Sequence, residues 1–301
     1  MAFAAIGDQT MKILILGGSG MLGHQLWKTL GREHETWVTV RKSASRFPDY
    51  REFPKKYVRP DVDAMIFDEV TRALASIQPD LVINCIGLIK QNPMVNDPLS
   101  SIHLNALLPH RISLICRTAD IRMIHISTDC VFSGKKGCYV ESDQSDAEDL
   151  YGRTKYLGEL TYAHTLTLRT SIIGRELAQY KSLLEWFLSQ KGKTVKGYKR
   201  VIFSGVTTIH LAKVVARLIR DQKKLTGIYH VASPAISKHE LLCMLRDAYK
   251  LDVEIVPDDR EVSDRSLIGE KFISATGYSY PRWTEMVAEL ADDPTPYDEW
   301  R

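Results

Sequence analysis

Cysteine is scarce and odd in number, with five residues at Cys85, Cys116, Cys130, Cys138 and Cys243. They form no C-x-x-C and no metal-ligand spacing, which excludes a disulfide scaffold and argues against a zinc site. The nine histidines include no H-x-x-x-H, so no metal is expected. Long apolar runs are missing: none approaches the ~20 residues that a membrane helix needs. Neither charge sign is in excess. The net charge of +3 is too small to argue for nucleic acid or a membrane surface as partner. The opening MAFAAIGDQT has no basic n-region and only a weak apolar run, so residues 1–10 read as a disordered extension ahead of Met11. With an odd count of thiols, this favours a reducing, cytoplasmic setting. No internal repeat or low-complexity linker interrupts the 301 residues.

What is present is an alternation. KILIL (12–16) is apolar throughout, as a strand covered on both faces should be. A helical segment follows to about Gly31, then ETWVTV (35–40) as a second strand. DAMIFD (63–68) reads as a third strand and PDLVINCIG (79–87) as a fourth. A long helix is expected over 100–119 and a fifth strand over 121–128. YGRTKYLGELTYA (151–163) reads as a helix and HTLTLRTS (164–171) as a sixth strand. This rhythm predicts an α/β fold with a doubly wound parallel Rossmann sheet. Beyond it the pattern loosens. Helices are expected at 180–190 and 208–222, and a strand at 227–233. The tail KHELLCMLRDAYK, DVEIVP and PRWTEMVAELADD reads as a smaller mixed α/β region. The division expected is 11–174 plus 201–233 for the dinucleotide domain and 175–200 plus 234–301 for the substrate region. The basic run KGKTVKGYKR (191–200) reads as a solvated loop or as a contact for a nucleotide diphosphate.

The loop ILGGSGMLG carries the first functional signal. Gly18, Gly20 and Gly23 spell G-x-G-x-x-G, whereas Gly17, Gly20 and Gly23 spell G-x-x-G-x-x-G. Either way, a strand turns sharply into a helix whose N–H groups can approach a pyrophosphate, and a Cβ would obstruct both. A NAD site also calls for an acid at the end of the second strand. That strand ends in VTVRKS instead, and the cations Arg41 and Lys42 suit a 2′-phosphate. NADPH is therefore expected rather than NADH. Asp68, taken as the end of the third strand, is a candidate beside the adenine.

The second signal is YGRTK. Tyr151 and Lys155 stand at i and i+4 on one helix face. A free phenol titrates near ~10, and a neighbouring ammonium lowers that value. Such a tyrosine can donate a proton to a carbonyl oxygen as hydride arrives at its carbon. Ser127 and Thr128, closing the fifth strand, offer hydroxyls for the same oxygen.

Together, G-x-x-G-x-x-G, Asn84 in NCIG, Asn105 in LNA, STD and YGRTK follow the motif order of the extended short-chain dehydrogenase/reductases. STDCVFSG, YGRTKYLGE and LRTSIIG resemble the dTDP-4-dehydrorhamnose reductase family, whose patterns read S-T-D-Y-V-F-x-G, Y-G-x-T-K-x-x-G-E and L-R-T-S-W-V-Y-G. The likeness runs from Met11 to about Gly174 and continues faintly through FSGVTTIHLAKVV and YPRW. It favours Gly17, Gly20 and Gly23 as the cofactor glycines. It implies NAD(P)H reduction of a 4-keto group on a nucleotide-linked 6-deoxy sugar, in surface polysaccharide or antibiotic sugar synthesis. Thr128, Tyr151 and Lys155 are the implied catalytic residues. The cofactor set is Gly17, Gly20, Met21, Leu22, Gly23, Arg41, Lys42, Asp68, Cys85, Ile86, Gly87, Asn105 and Lys155. The substrate set is Ser127, Cys130, Tyr151 and Ile172. Two of these depart from the pattern: Cys130 replaces a Tyr and Ile172 a Trp. Both should face the sugar, so a UDP-linked 2-acetamido-6-deoxy-4-hexulose is weighed beside the rhamnose precursor. Two other readings stay open. One is an epimerase–reductase resembling GDP-L-fucose synthase. The other is a non-catalytic NADP-binding regulatory subunit, as the β subunit of methionine adenosyltransferase resembles the same reductase. A nucleotide sugar is the expected partner, and a homodimer is open.

Overall fold

The structure is a computed structural model that describes residues 10–41, 53–177 and 180–300. Lys42 and all but Thr10 of the expected N-terminal extension lie outside these residues. The strands in chain order are β1 (Lys12–Leu16), β2 (Glu35–Thr39), β3 (Val58–Arg59), β4 (Leu81–Asn84), β5 (Arg122–Thr128) and β6 (Thr165–Thr170). They are followed by β7 (Ile172–Ile173), β8 (Thr194–Phe203), β9 (Val206–Thr207), β10 (Gly227–His230), β11 (Ile236–Ser237) and β12 (Glu254–Asp264).

Seven of them form a wholly parallel sheet in the order β3-β2-β1-β4-β5-β6-β10. Alternation along β1 shows why KILIL is apolar at every position. Ile13 and Ile15 pack on one face with the helices Met21–Leu30 and Thr208–Asp221. Leu14 and Leu16 pack on the other with Phe67–Ile77 and Leu108–Thr118. The sheet order runs outward from β1 in both directions, so a crevice opens at the carboxyl ends of β1 and β4, where such sheets bind ligands. A small mixed sheet, β11-β8-β12, stands beside it, and β7 pairs with β9. Among the described residues no helix is long and apolar enough to cross a membrane.

Four local expectations are corrected. The third strand is Val58–Arg59, not 63–68. In DAMIFD turn chemistry overrides apolar content: the Asp63 carboxylate accepts from Met65 N at 3.0 Å, and Glu69 accepts from Asp63 N at 2.7 Å. Asp68 therefore lies exposed in the first turn of the helix Phe67–Ile77 rather than at a strand end. The YGRTK helix covers only Leu150–Leu157. It is capped by Gly158, which packs so close to Asn105 that a Cβ would lie 1.9 Å from the carbonyl oxygen. The chain then turns inward so that Glu159 meets Arg169 at 2.7 Å, both 3% exposed. The helix expected over 100–119 begins at Pro98 and opens into a π-helical stretch, Ile102–Leu107. Finally, KGKTVKGYKR is not a loop. It enters β8, with Lys196 and Lys199 beside Asp258 and Asp259 on the neighbouring β12. Residues 201–203 continue the same strand, so the division expected at 200 falls inside it.

The C-terminal segment returns to the first helix. Lys28 Nζ donates to Asp293 and to Thr295 Oγ1, at 2.5 and 2.6 Å. Gln25 donates to the Tyr297 hydroxyl at 2.6 Å, and that hydroxyl meets His24 Nε2 at 2.8 Å. His24 Nδ1 in turn donates to Gly20 O at 2.8 Å. Burial holds the imidazole near a pKa of about 4, so it stays neutral and accepts the Tyr297 proton.

Candidate active site

The cofactor cradle is built from backbone. Gly17 has φ of 90°, a region glycine enters without a Cβ penalty. Gly20 donates to Gly17 O at 3.1 Å and caps the first helix with no side-chain hydrogen bond. The N–H groups of the first turn, at Met21, Leu22 and Gly23, are thus left for a ligand oxygen. A Cβ on Gly23 would lie 2.1 Å from Gly17 O. Gly18, outside the expected set, is equally constrained, since a Cβ there would meet Val38 Cβ at 2.4 Å. Four glycines, not three, make the turn: three shape the anion cradle and Gly18 lets β2 approach. The cradle fits a dinucleotide pyrophosphate. Arg41 is exposed one residue past Val40, at the end of β2. The place expected for Asp68 is held by Asp61 and Val62, which follow β3, with Val62 N on Val40 O at 3.1 Å.

Across the crevice, Asn84 Oδ1 accepts from Ile86 N at 3.1 Å and Nδ2 lies 3.2 Å from His125 Nδ1. These bonds shape the Cys85–Ile86–Gly87 turn. His125 is fully buried, but its Nε2 has no partner among the described residues. Asn105 lies in the π-helical stretch, a widened turn often found at functional sites. It accepts from Leu88 N at 2.8 Å and donates to Leu88 O at 3.3 Å. A Cβ on Gly87 would sit 3.0 Å from Asn105 Oδ1 and 3.8 Å from Lys155 Nζ. Gly87, Asn105 and Lys155 therefore share one wall.

The catalytic candidates meet at the end of β5. Asp149 caps the helix through Gly152 N at 2.7 Å and presents Tyr151 and Lys155 to the strand. Burial raises the Tyr151 pKa, Cys130 and Asp129 add to this, and a hydrogen bond with Thr128 opposes it. Lys155 Nζ is held by Ile126 O at 2.8 Å. Burial lowers its pKa to about 8, against attraction from Glu159 and Cys85. Cys130 is half-buried and donates its N–H to Thr128 Oγ1 at 3.1 Å. Desolvation pushes its thiol up to about 12. Ile172 is half-buried in β7. Ser127 is a correction: its hydroxyl donates to Glu159 Oε1 at 2.7 Å. Adjacent strand residues face opposite sides, so Thr128 lies toward the crevice and Ser127 away from it.

Three residues go unseen in the sequence. Lys90 lies 5.7 Å over the Tyr151 ring and pairs with Asp149 at 2.6 Å. Glu159 ties Ser127 to Arg169 behind the site. Arg265 lies near enough to Cys130 to act on its thiol. Only Glu159 left a trace, in YGRTKYLGE.

The Lys155 value sets a pH dependence. The ammonium is present below about 8 and is lost as pH rises through that value. Because kcat/KM reports free-enzyme groups, it is expected to fall above about pH 8, approaching roughly tenfold per unit. Lys155→Arg, permanently charged, should abolish that limb whatever its absolute rate. A flat wild-type profile from pH 7 to 10 contradicts this role for Lys155.

Residues 11–293 match the family model described as RmlD substrate binding domain. Among curated proteins, the chain is 24% identical over 297 residues to spore coat polysaccharide biosynthesis protein SpsK of Bacillus subtilis, covering 94% of this chain and 97% of that one. It is 25% identical over 255 residues to methionine adenosyltransferase 2 subunit beta of Danio rerio, covering 80% and 74%. Among solved structures, dTDP-4-dehydrorhamnose reductase from Bacillus anthracis, in complex with NADP, superposes with a TM-score of 0.77 at 19% identity, covering 94% of this chain and 99% of that one. The sheet order, the glycine turn and the Thr128–Tyr151–Lys155 corner agree with a match that runs nearly end to end: this chain belongs to the RmlD substrate binding domain family of the extended short-chain dehydrogenase/reductases.

Proposed function

We propose that this protein is an NADPH-dependent reductase of the 4-keto group of a nucleotide-linked 6-deoxy sugar, acting in the synthesis of a surface polysaccharide. One observation carries the reading: Tyr151 stands half-buried beside Thr128 and Cys130, with Lys155 behind it and the glycine cradle across the crevice. A nicotinamide cofactor bound here would supply the hydride for the keto carbon. The Tyr151 hydroxyl gives its proton to the keto oxygen, which Thr128 orients. The phenol carries its proton at neutral pH, as a donor to the keto oxygen must. Lys155 faces the Gly87–Asn105 wall, where it would hold the nicotinamide ribose. The likeness to a methionine adenosyltransferase subunit keeps a regulatory role as the competitor, but the intact Thr128, Tyr151 and Lys155 favour catalysis.

The test is NADPH oxidation with dTDP-, UDP- and GDP-linked 4-keto-6-deoxy sugars, followed at the nicotinamide band. Turnover of at least one is expected. NADPH binding with no turnover of any would favour the regulatory subunit. Run in D₂O, the product should carry no solvent deuterium at C3 or C5. A Cys130 thiol pushed up to about 12 is not poised to remove a proton there. Enzyme-dependent deuterium, abolished by Cys130→Ser, would instead support the epimerase–reductase.

Arg41 and Lys42 carry the cofactor preference. Removing both charges should weaken NADPH by about 1–3 kcal/mol, the scale of hydrogen bonds to charged groups, and leave NADH nearly unchanged. A wild type that binds NADH more tightly than NADPH would reverse the assignment.

A further inference from the structure

Three cations stand around the corner where Asp129 and Cys130 follow the catalytic strand: Lys90, Arg265 and Lys238. Two are held by the protein. Lys90 pairs with Asp149 at 2.6 Å, and Arg265 Nε donates to Phe132 O at 2.9 Å. Lys238 has no hydrogen bond or ion pair with any described residue.

Its position is nonetheless fixed. Lys238 is the first residue of the helix Lys238–Tyr249, entered through a capping box between Ser237 and Glu240. Its Nζ lies 4.3 Å over the ring of buried Phe203. That ring abuts the active-site floor: a Cβ on Gly205 would meet Phe203 Cζ at 2.5 Å and Ser171 O at 2.1 Å. Ser171 follows Thr170, which lies in register with Thr128 on the neighbouring strand. The ammonium thus rests on an aromatic plate at the sugar side of the crevice, with the Asp129 carboxylate and the Cys130 thiol as the nearby acidic groups that it feels.

Such a placement is costly. Desolvation lowers the Lys238 pKa. The ring beneath this half-buried ammonium attracts it but gives it no ion-pair partner. The first turn of a helix also disfavours a cation, and Glu240 there is engaged in the cap. A neutral sugar hydroxyl would not neutralise the charge, whereas a phosphate would. We propose that Lys238 binds a phosphate of the substrate's diphosphate and sets the preference for a nucleoside diphosphate over the bare nucleoside. This rests on the nucleotide-sugar reading above.

The experiment is calorimetric titration at saturating NADP, which occupies the dinucleotide site. The probes are dTDP, UDP and GDP, with thymidine, uridine and guanosine as the phosphate-free set. Wild type, Lys238→Met and Lys238→Arg are compared. For whichever diphosphate binds best, Lys238→Met should weaken binding roughly 10- to 100-fold, the scale of one charge-assisted contact. Lys238→Arg should restore most of it, and nucleoside and NADP affinities should not move. The NADP titration also reports that the variant is folded. Unchanged diphosphate affinity in Lys238→Met overturns the role of Lys238 alone. Wild type binding none of the three diphosphates overturns both that role and the substrate class. Diphosphate binding that depends on Lys238, without turnover of any keto-sugar, leaves the phosphate site standing and removes the reductase.

Discussion

Tyr151→Phe should lower turnover at least ~10²-fold, the usual contribution of a positioned general acid, while NADPH binds as before. The substitution removes one oxygen and keeps the ring. Phe in this place still packs beneath the Lys90 ammonium, which lies over the ring and not on the hydroxyl. Asp149 still caps the helix through Gly152. What is lost is the one proton that the phenol would give to the keto oxygen. Lys155→Ala should behave differently and damage both turnover and NADPH affinity, because its ammonium shares a wall with Gly87 and Asn105. Steady-state rates on a turned-over keto-sugar and NADPH titration separate the two variants. Undiminished turnover in Tyr151→Phe would rule out the proposed proton path.

Gly23→Ala should cost NADPH at least ~10²-fold in affinity, with a smaller loss of stability of about 1–3 kcal/mol, as overpacking usually brings. The added Cβ would sit 2.1 Å from Gly17 O and 2.9 Å from Gly17 C. Those are backbone atoms, with no side chain free to swing away. Relief requires the strand end and the helix to part, which moves the N–H groups of the first turn from the pyrophosphate. Thermal melting measures the stability part and fluorescence titration with NADPH the binding part. A variant that binds NADPH like the wild type would mean that this turn does not cradle the cofactor.

The central sheet was legible wherever burial alone dictates the residues. β1 must be apolar at every position because both its faces are covered, and KILIL says so. The short β3 was not legible. Two residues of strand, VR, carry no periodicity, while DAMIFD nearby carries apolar content without strand geometry. The Tyr151–Lys155 pairing was legible because i and i+4 is a local relation, and the glycine turn because its spacing is local too. Residues that reach the site from elsewhere had no such signature. Lys90 meets Tyr151 across 61 positions of sequence, a separation at which no pattern survives. Ser127 was misassigned because two hydroxyls in succession look alike in sequence, whereas the strand sends them to opposite faces. Only the buried Glu159–Arg169 pair shows which face is which.

The return of the chain's end to its first helix bears on the order in which the molecule is made. Gln25 and Lys28 leave the ribosome early, yet their partners Asp293, Thr295 and Tyr297 follow far behind. Until then the polar groups on the back of the dinucleotide helix face water rather than their partners. Contacts this distant in sequence form slowly, since a long loop must close before they return any energy. The first helix, though translated early, is therefore completed only when Asp293, Thr295 and Tyr297 reach it.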